Sequence, residues 1–254
     1  MAAPESLDTR SSLPGPGVAL VTGAAKRVGR AIVLELARAG FDIAVHHRSS
    51  PVEAGEVAAA IRDLGRRAAV VQADLVVPSQ IDAMFRAVDD AFGRLDVLVN
   101  SAAVFRRTPV STLAEADFDF HVATNLKAPY LCCLQAVPRM RASGHGAIVN
   151  LADVAADRPF ASHVPYCVSK AGLAMLTRSL AKALAPAITV NAVSPGTVLF
   201  REDESPEERA RVIARIPQGR IGTPEDVARA VRFLVESPHV TGVILPVDGG
   251  RSLA

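Results

Sequence analysis

The chain has 254 residues, half of them hydrophobic, and its 28 basic and 26 acidic side chains leave a net charge of +2. A chain of this length and apolar content buries a substantial core. The balanced charge, without a basic run or an aromatic-studded stripe, argues against a nucleic-acid partner, so a small molecule is expected. No stretch approaches the roughly 20 apolar residues of a membrane span, so no membrane association is expected.

The cysteines and histidines show no metal-ligand spacing, and no metal site is expected. Three cysteines, Cys132, Cys133 and Cys167, are typical of a reducing compartment, and the first two are predicted core residues. Residues 1–16, MAAPESLDTRSSLPGP, lack the apolar stretch of a signal peptide. We therefore expect a cytoplasmic protein with a flexible leader over residues 1–16 and one domain over residues 17–254.

Short apolar runs alternate with amphipathic segments along the chain, which predicts parallel strands joined by crossover helices. Each run is continuously apolar, as expected of a parallel strand that is covered on both faces. We predict a Rossmann-type α/β fold, with a doubly wound, seven-stranded parallel sheet and helices on both faces. The predicted strands are 18–22, 42–46, 68–72, 96–100, 147–151, 188–193 and 242–247.

Helices are predicted between these strands, for example over 29–40 and 81–93. SPEE (205–208) and TPED (223–226) each combine a capping hydroxyl, a first-turn proline and an acid three residues after the cap. This combination predicts that a helix begins at each of them. The preceding stretch REDES (201–205) is interpreted as a solvated loop, with a mobile lid over a ligand as the alternative.

The segment TGAAKRVGR (22–30) follows the first predicted strand and opens the first helix. The helix amino end offers unpaired N–H groups and a partial positive charge to a pyrophosphate. Gly23, Val28 and Gly29 are therefore predicted cofactor contacts, with an ordinary tight turn as the alternative. Arg27 replaces an expected third glycine, and its guanidinium either reaches a cofactor phosphate or a substrate, or points to solvent.

The residues after the second strand, HHRSS (46–50), indicate which dinucleotide binds. A carboxylate here would favour a free ribose hydroxyl, whereas an arginine favours a 2′-phosphate. His47, Arg48 and Ser49 are predicted to bind this end of the cofactor. The predicted cofactor is NADPH/NADP.

ADL (73–75) and NSAA (100–103) follow the third and fourth strands. Ligands collect at the carboxyl ends of such strands. Asp74 either accepts a hydrogen bond from the adenine amino group or caps a helix, and the small residues after the fourth strand leave room for ribose. The predicted cofactor contacts here are Ala73, Asp74, Leu75, Asn100, Ser101 and Ala102.

YCVSK places Tyr166 and Lys170 four residues apart, on one face of a predicted helix. An adjacent ammonium lowers the pKa of a tyrosine, which then serves as an acid near neutral pH. Such a pair donates a proton to a substrate that receives hydride. Its position after the fifth strand of a dinucleotide fold favours this role over a surface pair.

Together these motifs resemble the short-chain dehydrogenase/reductase family. TGAAKRVG, NSAA, ATNLKAPY, YCVSK, NAVSPG (191–196) and VDGG occur in the family's order, so the resemblance covers nearly all of residues 17–254. It implies that Tyr166 is the acid and that Lys170 lowers its pKa and binds the nicotinamide ribose. It also implies that Asn125 holds a proton-relay water.

The same resemblance assigns residues after the sixth strand. It implies that Pro195 and Gly196 flank the nicotinamide and that Thr197 helps to hold its carboxamide or the pyrophosphate. Members of the family are commonly homotetramers.

The family's usual serine falls thirteen positions before the tyrosine, where this chain has Asp153. A serine hydroxyl donates to a carbonyl oxygen that becomes an alkoxide, whereas an ionised carboxylate opposes that charge. Hydride delivery to a carbon–nitrogen double bond instead leaves a nitrogen that needs a proton. Asp153 therefore favours a nitrogen heterocycle as the substrate.

The aspartate, the TGAAKR turn and the closing DGGRSL are similar to the pteridine reductase branch. This resemblance implies a pterin between the nicotinamide and the ring of Phe105, with Arg27 nearby and with Asp153 and Tyr166 at the reducible nitrogen. A Phe105 that only fills apolar space is the alternative. NSAA differs from the NNAS of this branch, which leaves Ala103 without a hydroxyl for the pterin.

The predicted function is NADPH-dependent reduction of biopterin, dihydrobiopterin or dihydrofolate, with protonation from Tyr166. The enzymatic alternative is a general ketoreductase such as a 3-oxoacyl-[acyl-carrier-protein] reductase. The non-enzymatic alternative is a dinucleotide-sensing scaffold.

Overall fold

The computed structural model describes residues 17–200 and 204–254. The predicted leader, residues 1–16, lies outside this part of the chain, as do residues 201–203 of the REDES stretch. Seven parallel strands form one sheet. They are β1 (Val18–Val21), β2 (Asp42–His47), β3 (Ala68–Gln72), β4 (Val97–Asn100), β5 (Gly146–Leu151), β6 (Ile188–Pro195) and β7 (Ile244–Val247).

The strand order is β3-β2-β1-β4-β5-β6-β7, which confirms the predicted Rossmann-type fold. The order reverses between β1 and β4, where the register pairs Ala19 with Val97 and Val21 with Val99. Crossover connections leave a crevice at the carboxyl ends of the strands at this point. The fold therefore provides a binding cleft between the ends of β1 and β4.

Helices cover both faces of the sheet. Within the described residues they are α1 (Arg27–Arg38), α2 (Pro51–Asp63), α3 (Pro78–Phe92), α4 (Glu115–Val122), α5 (Ala128–Ala142), α6 (Val164–Leu184), α7 (Pro206–Ile213) and α8 (Pro224–Val235). One core layer packs α1, α2 and α8 on the sheet, through residues such as Ile32, Ile61 and Val231. The opposite layer packs α3 and α5, through residues such as Phe85 and Met140. No described helix has the length and apolar character needed to cross a membrane.

The prediction that every strand is covered on both faces of the sheet is wrong for the two edge strands, β3 and β7. In β3 the side chain of Val70 is exposed, and in β7 no residue is fully buried. Each edge strand has a sheet neighbour on one side only, so the helical layers leave part of it open to solvent. A continuous apolar run therefore does not distinguish an edge strand from a central one.

Helices begin at both predicted capping patterns, SPEE and TPED. Ser205 caps α7 and exchanges hydrogen bonds with Glu208, and Thr223 caps α8 and exchanges hydrogen bonds with Asp226. Cys132 and Cys133 are buried in the core between α5 and the sheet, as predicted.

Candidate active site

The turn between β1 and α1 has backbone conformations that explain its sequence. Gly23 has φ +65°, in the left-handed region that favours glycine, and Arg27 has φ +52°. Arg27 thus adopts a glycine-like backbone where a third glycine was expected. A Cβ at Gly29 would clash with the carbonyl oxygen of Gly23, so the turn closes tightly on the start of the helix. This shape fits a dinucleotide-binding turn.

A cleft of about 450 Å³ opens at the crevice between β1 and β4. It brings together residues from four separate strand ends, including His46, which sequence reasoning did not single out. Twelve predicted cofactor contacts line it: Gly23, Arg27, Val28, Gly29, His47, Arg48, Ser49, Ala73, Asp74, Leu75, Ser101 and Ala102. The cleft is suited to an extended molecule with phosphate groups, such as a dinucleotide.

Asp74 lines the cleft, but its side chain does not cap α3, whose N-cap residue is Val77. The Oδ1 of Asp74 accepts a hydrogen bond from the N–H of Val76 at 3.1 Å, and its own N–H donates to Gln80 Oε1 at 2.7 Å. It therefore stabilises the turn before α3 while it also lines the cleft.

The side chain of Asn100 is not placed as predicted for a cofactor contact. It is buried, and its Nδ2 donates to Asn150 Oδ1 at 2.8 Å, which links β4 to β5. The backbone beyond it is held by Thr22, a residue that sequence reasoning missed. The Thr22 hydroxyl accepts hydrogen bonds from the N–H groups of Ser101 and Ala102, at 2.9 and 3.0 Å.

Asp153 and Tyr166 form a direct hydrogen bond. Asp153 follows β5, and its Oδ1 accepts from the N–H of Ala155 at 2.8 Å. Its Oδ2 accepts from the hydroxyl of Tyr166, also at 2.8 Å. Tyr166 is buried in the first turns of α6, and the Nζ of Lys170, one turn later, donates to the carbonyl of Leu151 at 2.6 Å.

The pKa of Tyr166 differs from the sequence prediction. Burial and the carboxylate of Asp153 raise the pKa of Tyr166 well above its usual value. The ammonium of Lys170 lies over the ring, 5.8 Å from its centroid, and burial lowers the pKa of Lys170 to about 8. Burial also raises the pKa of Asp153, against hydrogen bonds from Ala155 and Tyr166. Tyr166 therefore keeps its proton and is a neutral donor.

Asn125 lies in a single π-helical turn, residues 123–127, between α4 and α5. Such turns recur at functional sites. The Oδ1 of Asn125 accepts from the N–H of Val104 at 2.8 Å, and its Nδ2 donates to the carbonyl of Val104 and to Ser169 Oγ. Asn125 thus ties the segment after β4 to α6, close to Tyr166.

An aromatic wall stands beside Tyr166. The ring of Phe105 stacks on His163, with centroids 4.3 Å apart and planes 7° apart, and meets Tyr166 edge-on at 4.7 Å. Phe105 is 49% exposed, which argues against the alternative in which it only fills apolar space. Thr108 donates its N–H to the carbonyl of Ser162 at 2.7 Å, which joins the two loops that carry the wall.

The end of β6 brings the remaining predicted residues to the same edge of the sheet. Pro195 ends the strand, and a Cβ at Gly196 would lie 2.8 Å from Cα of Asp248, so only glycine fits this approach. Thr197 Oγ1 accepts a hydrogen bond from Arg251 Nη1 at 2.7 Å. These three residues lie outside the lining of the cleft, as do Tyr166 and Lys170.

In the part of the chain that the structure describes, no group of three or more histidine, cysteine or acidic side chains is arranged to hold a metal ion. The side chains grouped around Tyr166 are suited to proton donation and to contact with a flat ring.

Known proteins match this chain over most of its length. The family model described as enoyl-(acyl carrier protein) reductase matches residues 23–252. The 3-oxoacyl-[acyl-carrier-protein] reductase FabG of Staphylococcus aureus strain Mu50 is 36% identical over 237 residues, which are 91% of this chain and 96% of the relative. The (2S)-[(R)-hydroxy(phenyl)methyl]succinyl-CoA dehydrogenase subunit BbsD of Thauera aromatica is 37% identical over 93% of this chain and 96% of its own length.

Solved structures also match the chain over most of its length. A crystal structure from Sinorhizobium meliloti 1021, described as that of a short-chain alcohol dehydrogenase, superposes with a TM-score of 0.89 at 33% identity. The match covers 95% of this chain and 98% of that one. The chain belongs to the short-chain dehydrogenase/reductase family.

Proposed function

We propose that the protein is an NADPH-dependent reductase of a flat nitrogen heterocycle of the pterin class, with Tyr166 as the proton donor. The observation that carries this proposal is the 2.8 Å hydrogen bond from the Tyr166 hydroxyl to the carboxylate of Asp153. It sets a proton donor and a proton acceptor side by side beside a half-exposed aromatic ring.

The charge of Asp153 supports a nitrogen acceptor over a carbonyl oxygen. Reduction of a ketone builds negative charge on oxygen, and a carboxylate within hydrogen-bond distance of the donor disfavours that charge. Reduction of a carbon–nitrogen double bond requires a proton at nitrogen, and a nearby carboxylate stabilises the protonated form.

The bound nicotinamide would supply the hydride. Arg48 and Ser49 at the cleft support NADPH over NADH, because a guanidinium pairs with a 2′-phosphate. The ammonium of Lys170 stays within reach of the reacting end through its bond to Leu151 and contributes positive charge there. Tyr166 then donates its proton to the substrate, and Asp153 holds the hydroxyl in position.

The wall of Phe105 and His163 supports a planar substrate. Two parallel rings present a flat, half-exposed face next to Tyr166, and stacking on such a face suits a fused heterocycle. Stacking adds about 1 kcal/mol beyond burial for an aromatic pair.

A second candidate function is reduction of a 3-oxoacyl thioester. The names of the relatives favour it, since FabG of Staphylococcus aureus is a 3-oxoacyl-[acyl-carrier-protein] reductase. These comparisons support the ketoreductase better than they support pterin reduction, whereas the Asp153–Tyr166 pair favours the pterin.

A substrate panel distinguishes the two candidates. NADPH and NADH oxidation would be measured with dihydrobiopterin, dihydrofolate and acetoacetyl thioester, using wild type, Asp153→Ser, Asp153→Asn and Tyr166→Phe. We expect pterin turnover with NADPH, and a loss of roughly 100-fold in each variant. Thioester turnover that persists or rises in Asp153→Ser, with no pterin turnover in wild type, would establish the ketoreductase instead.

A further inference from the structure

His46, near the end of β2, lies between two walls of the cofactor cleft. It is buried, with 2% of its surface exposed, and it lines the cleft. Its Nδ1 accepts a hydrogen bond from the N–H of Gly23 at 2.9 Å, and its Nε2 lies 3.0 Å from the carbonyl oxygen of Ala73. The carbonyl of His46 also accepts from the N–H of Ala24 at 2.8 Å.

These partners allow only one form of the ring. An N–H of Gly23 requires a lone pair on Nδ1, and a carbonyl of Ala73 requires a proton on Nε2. The neutral Nε2–H tautomer satisfies both, whereas the doubly protonated ring would set Nδ1–H against the N–H of Gly23. The lowered pKa of His46, about 4, which burial causes, is consistent with this form.

We infer that His46 is a positioning residue for the dinucleotide, since it joins the phosphate-binding turn to the end of β3 at the adenosine side. The turn carries Gly23, Arg27 and Gly29, and Ala73 immediately precedes Asp74. A single side chain therefore sets the spacing between the two walls that a dinucleotide would touch. The inference rests on the proposed cofactor but concerns atoms that are already in place in the protein alone.

Substitution of His46 by asparagine or by glutamine would test its two hydrogen bonds one at a time. In asparagine, Oδ1 is separated from Cβ by the same number of bonds as Nδ1 of histidine, so His46→Asn keeps an acceptor for Gly23. In glutamine, Nε2 corresponds in the same way to Nε2 of histidine, so His46→Gln keeps a donor for Ala73. His46→Leu keeps neither. His145→Leu is the matched control, because His145 lies immediately before β5, at the opposite end of the sheet from the cleft.

The dissociation constant of NADPH would be measured by fluorescence titration, without substrate. We expect roughly tenfold weaker binding in His46→Asn and in His46→Gln, because each loses one buried hydrogen bond, and a larger loss in His46→Leu, which loses both. His145→Leu should stay within about twofold of wild type. Amide hydrogen exchange of Gly23 in the cofactor-free protein should accelerate in His46→Leu and His46→Gln but not in His46→Asn.

Three results would each overturn a claim. If wild type binds NADPH and His46→Leu binds it equally well, with unchanged exchange at Gly23, His46 has no positioning role. If wild type binds neither NADPH nor NADH, the proposed function fails and this inference fails with it. Weak binding by all four variants, the His145 control included, would indicate general destabilisation and would also overturn the role of His46.

Discussion

Lys170 is buried in α6, and burial lowers its pKa to about 8. Below that pH its ammonium places a positive charge beside Asp153 and Tyr166, and above it the charge is lost. We therefore predict that kcat/KM for the reductive reaction falls as the pH rises through about 8. Rate measurements from about pH 6 to 10 would check this.

The control for this prediction is Lys170→Arg. A guanidinium stays protonated throughout this range, so the alkaline decline should move to higher pH even if the rate is lower overall. An unchanged decline in Lys170→Arg would assign it to another group.

The second prediction concerns His46 and the pH dependence of the free energy of unfolding. Its pKa of about 4 in the folded protein lies below the ordinary value near 6.5, so unfolded chains bind a proton that folded chains exclude. Its contribution to stability is thus complete above about pH 6.5 and declines as the pH falls toward 4. The neighbouring charges are His47, which lowers this pKa, and Asp74, which raises it.

The measurement is the free energy of unfolding in urea at about pH 7 and about pH 4.5, for wild type and for His46→Asn. The pKa difference corresponds to a loss of about 2 to 3 kcal/mol in wild type that is missing in the variant. Because the other carboxylates and histidines are present in both proteins, their effects cancel. Equal pH dependence in the two proteins would contradict the assignment.

At the scale of elements, Thr22 joins the end of β1 to the backbone beyond β4. Its hydroxyl is the acceptor for two N–H groups, those of Ser101 and Ala102. Thr22→Val preserves the shape but leaves both donors without that acceptor. We predict a loss of about 1 to 3 kcal/mol in unfolding free energy, together with weaker NADPH binding.

Thr22→Ser keeps the hydroxyl and serves as the control. It should retain most of the stability and the dinucleotide affinity, because the two hydrogen bonds remain possible. A Thr22→Val protein as stable as wild type would show that water replaces the hydroxyl in this role.

Most elements were predictable because their signals are local. Apolar runs located the seven strands, and the Ser205 and Thr223 caps marked the starts of α7 and α8. The edge strands were not distinguishable, since exposure of Val70 depends on which strand lies next to β3.

The same limit applies within the site. The i, i+4 spacing placed Lys170 beside Tyr166, but spacing carries no information on burial, which controls both pKa values. The amide of Asn100 turns inward to Asn150, and His46 contacts Gly23 and Ala73, through pairings between strands that are far apart in sequence. Such contacts follow from the sheet order rather than from any motif.

For the whole molecule, two helices carry apolar residues that are exposed in the single chain. Val168 and Met175 lie seven residues apart on α6, and Tyr130 and Leu134 lie four apart on α5. Residues with these spacings share one face of their helix. Met175 is 58% exposed and Leu134 is 49% exposed in the single chain, and clusters of large apolar side chains on a surface are typical of protein–protein contacts.

We predict a homotetramer, as the family resemblance implies, with these helix faces in its interfaces. Light scattering coupled to size exclusion should give four times the mass of the chain for wild type. The double variant Leu134→Lys/Met175→Lys should give a smaller species, because two buried ammonium groups would lack partners. Val52→Lys is the control, since Val52 is an even more exposed apolar residue, on α2, and its substitution should leave the mass unchanged. A monomeric wild type would contradict the prediction, and a tetrameric double variant would place the interfaces on other surfaces.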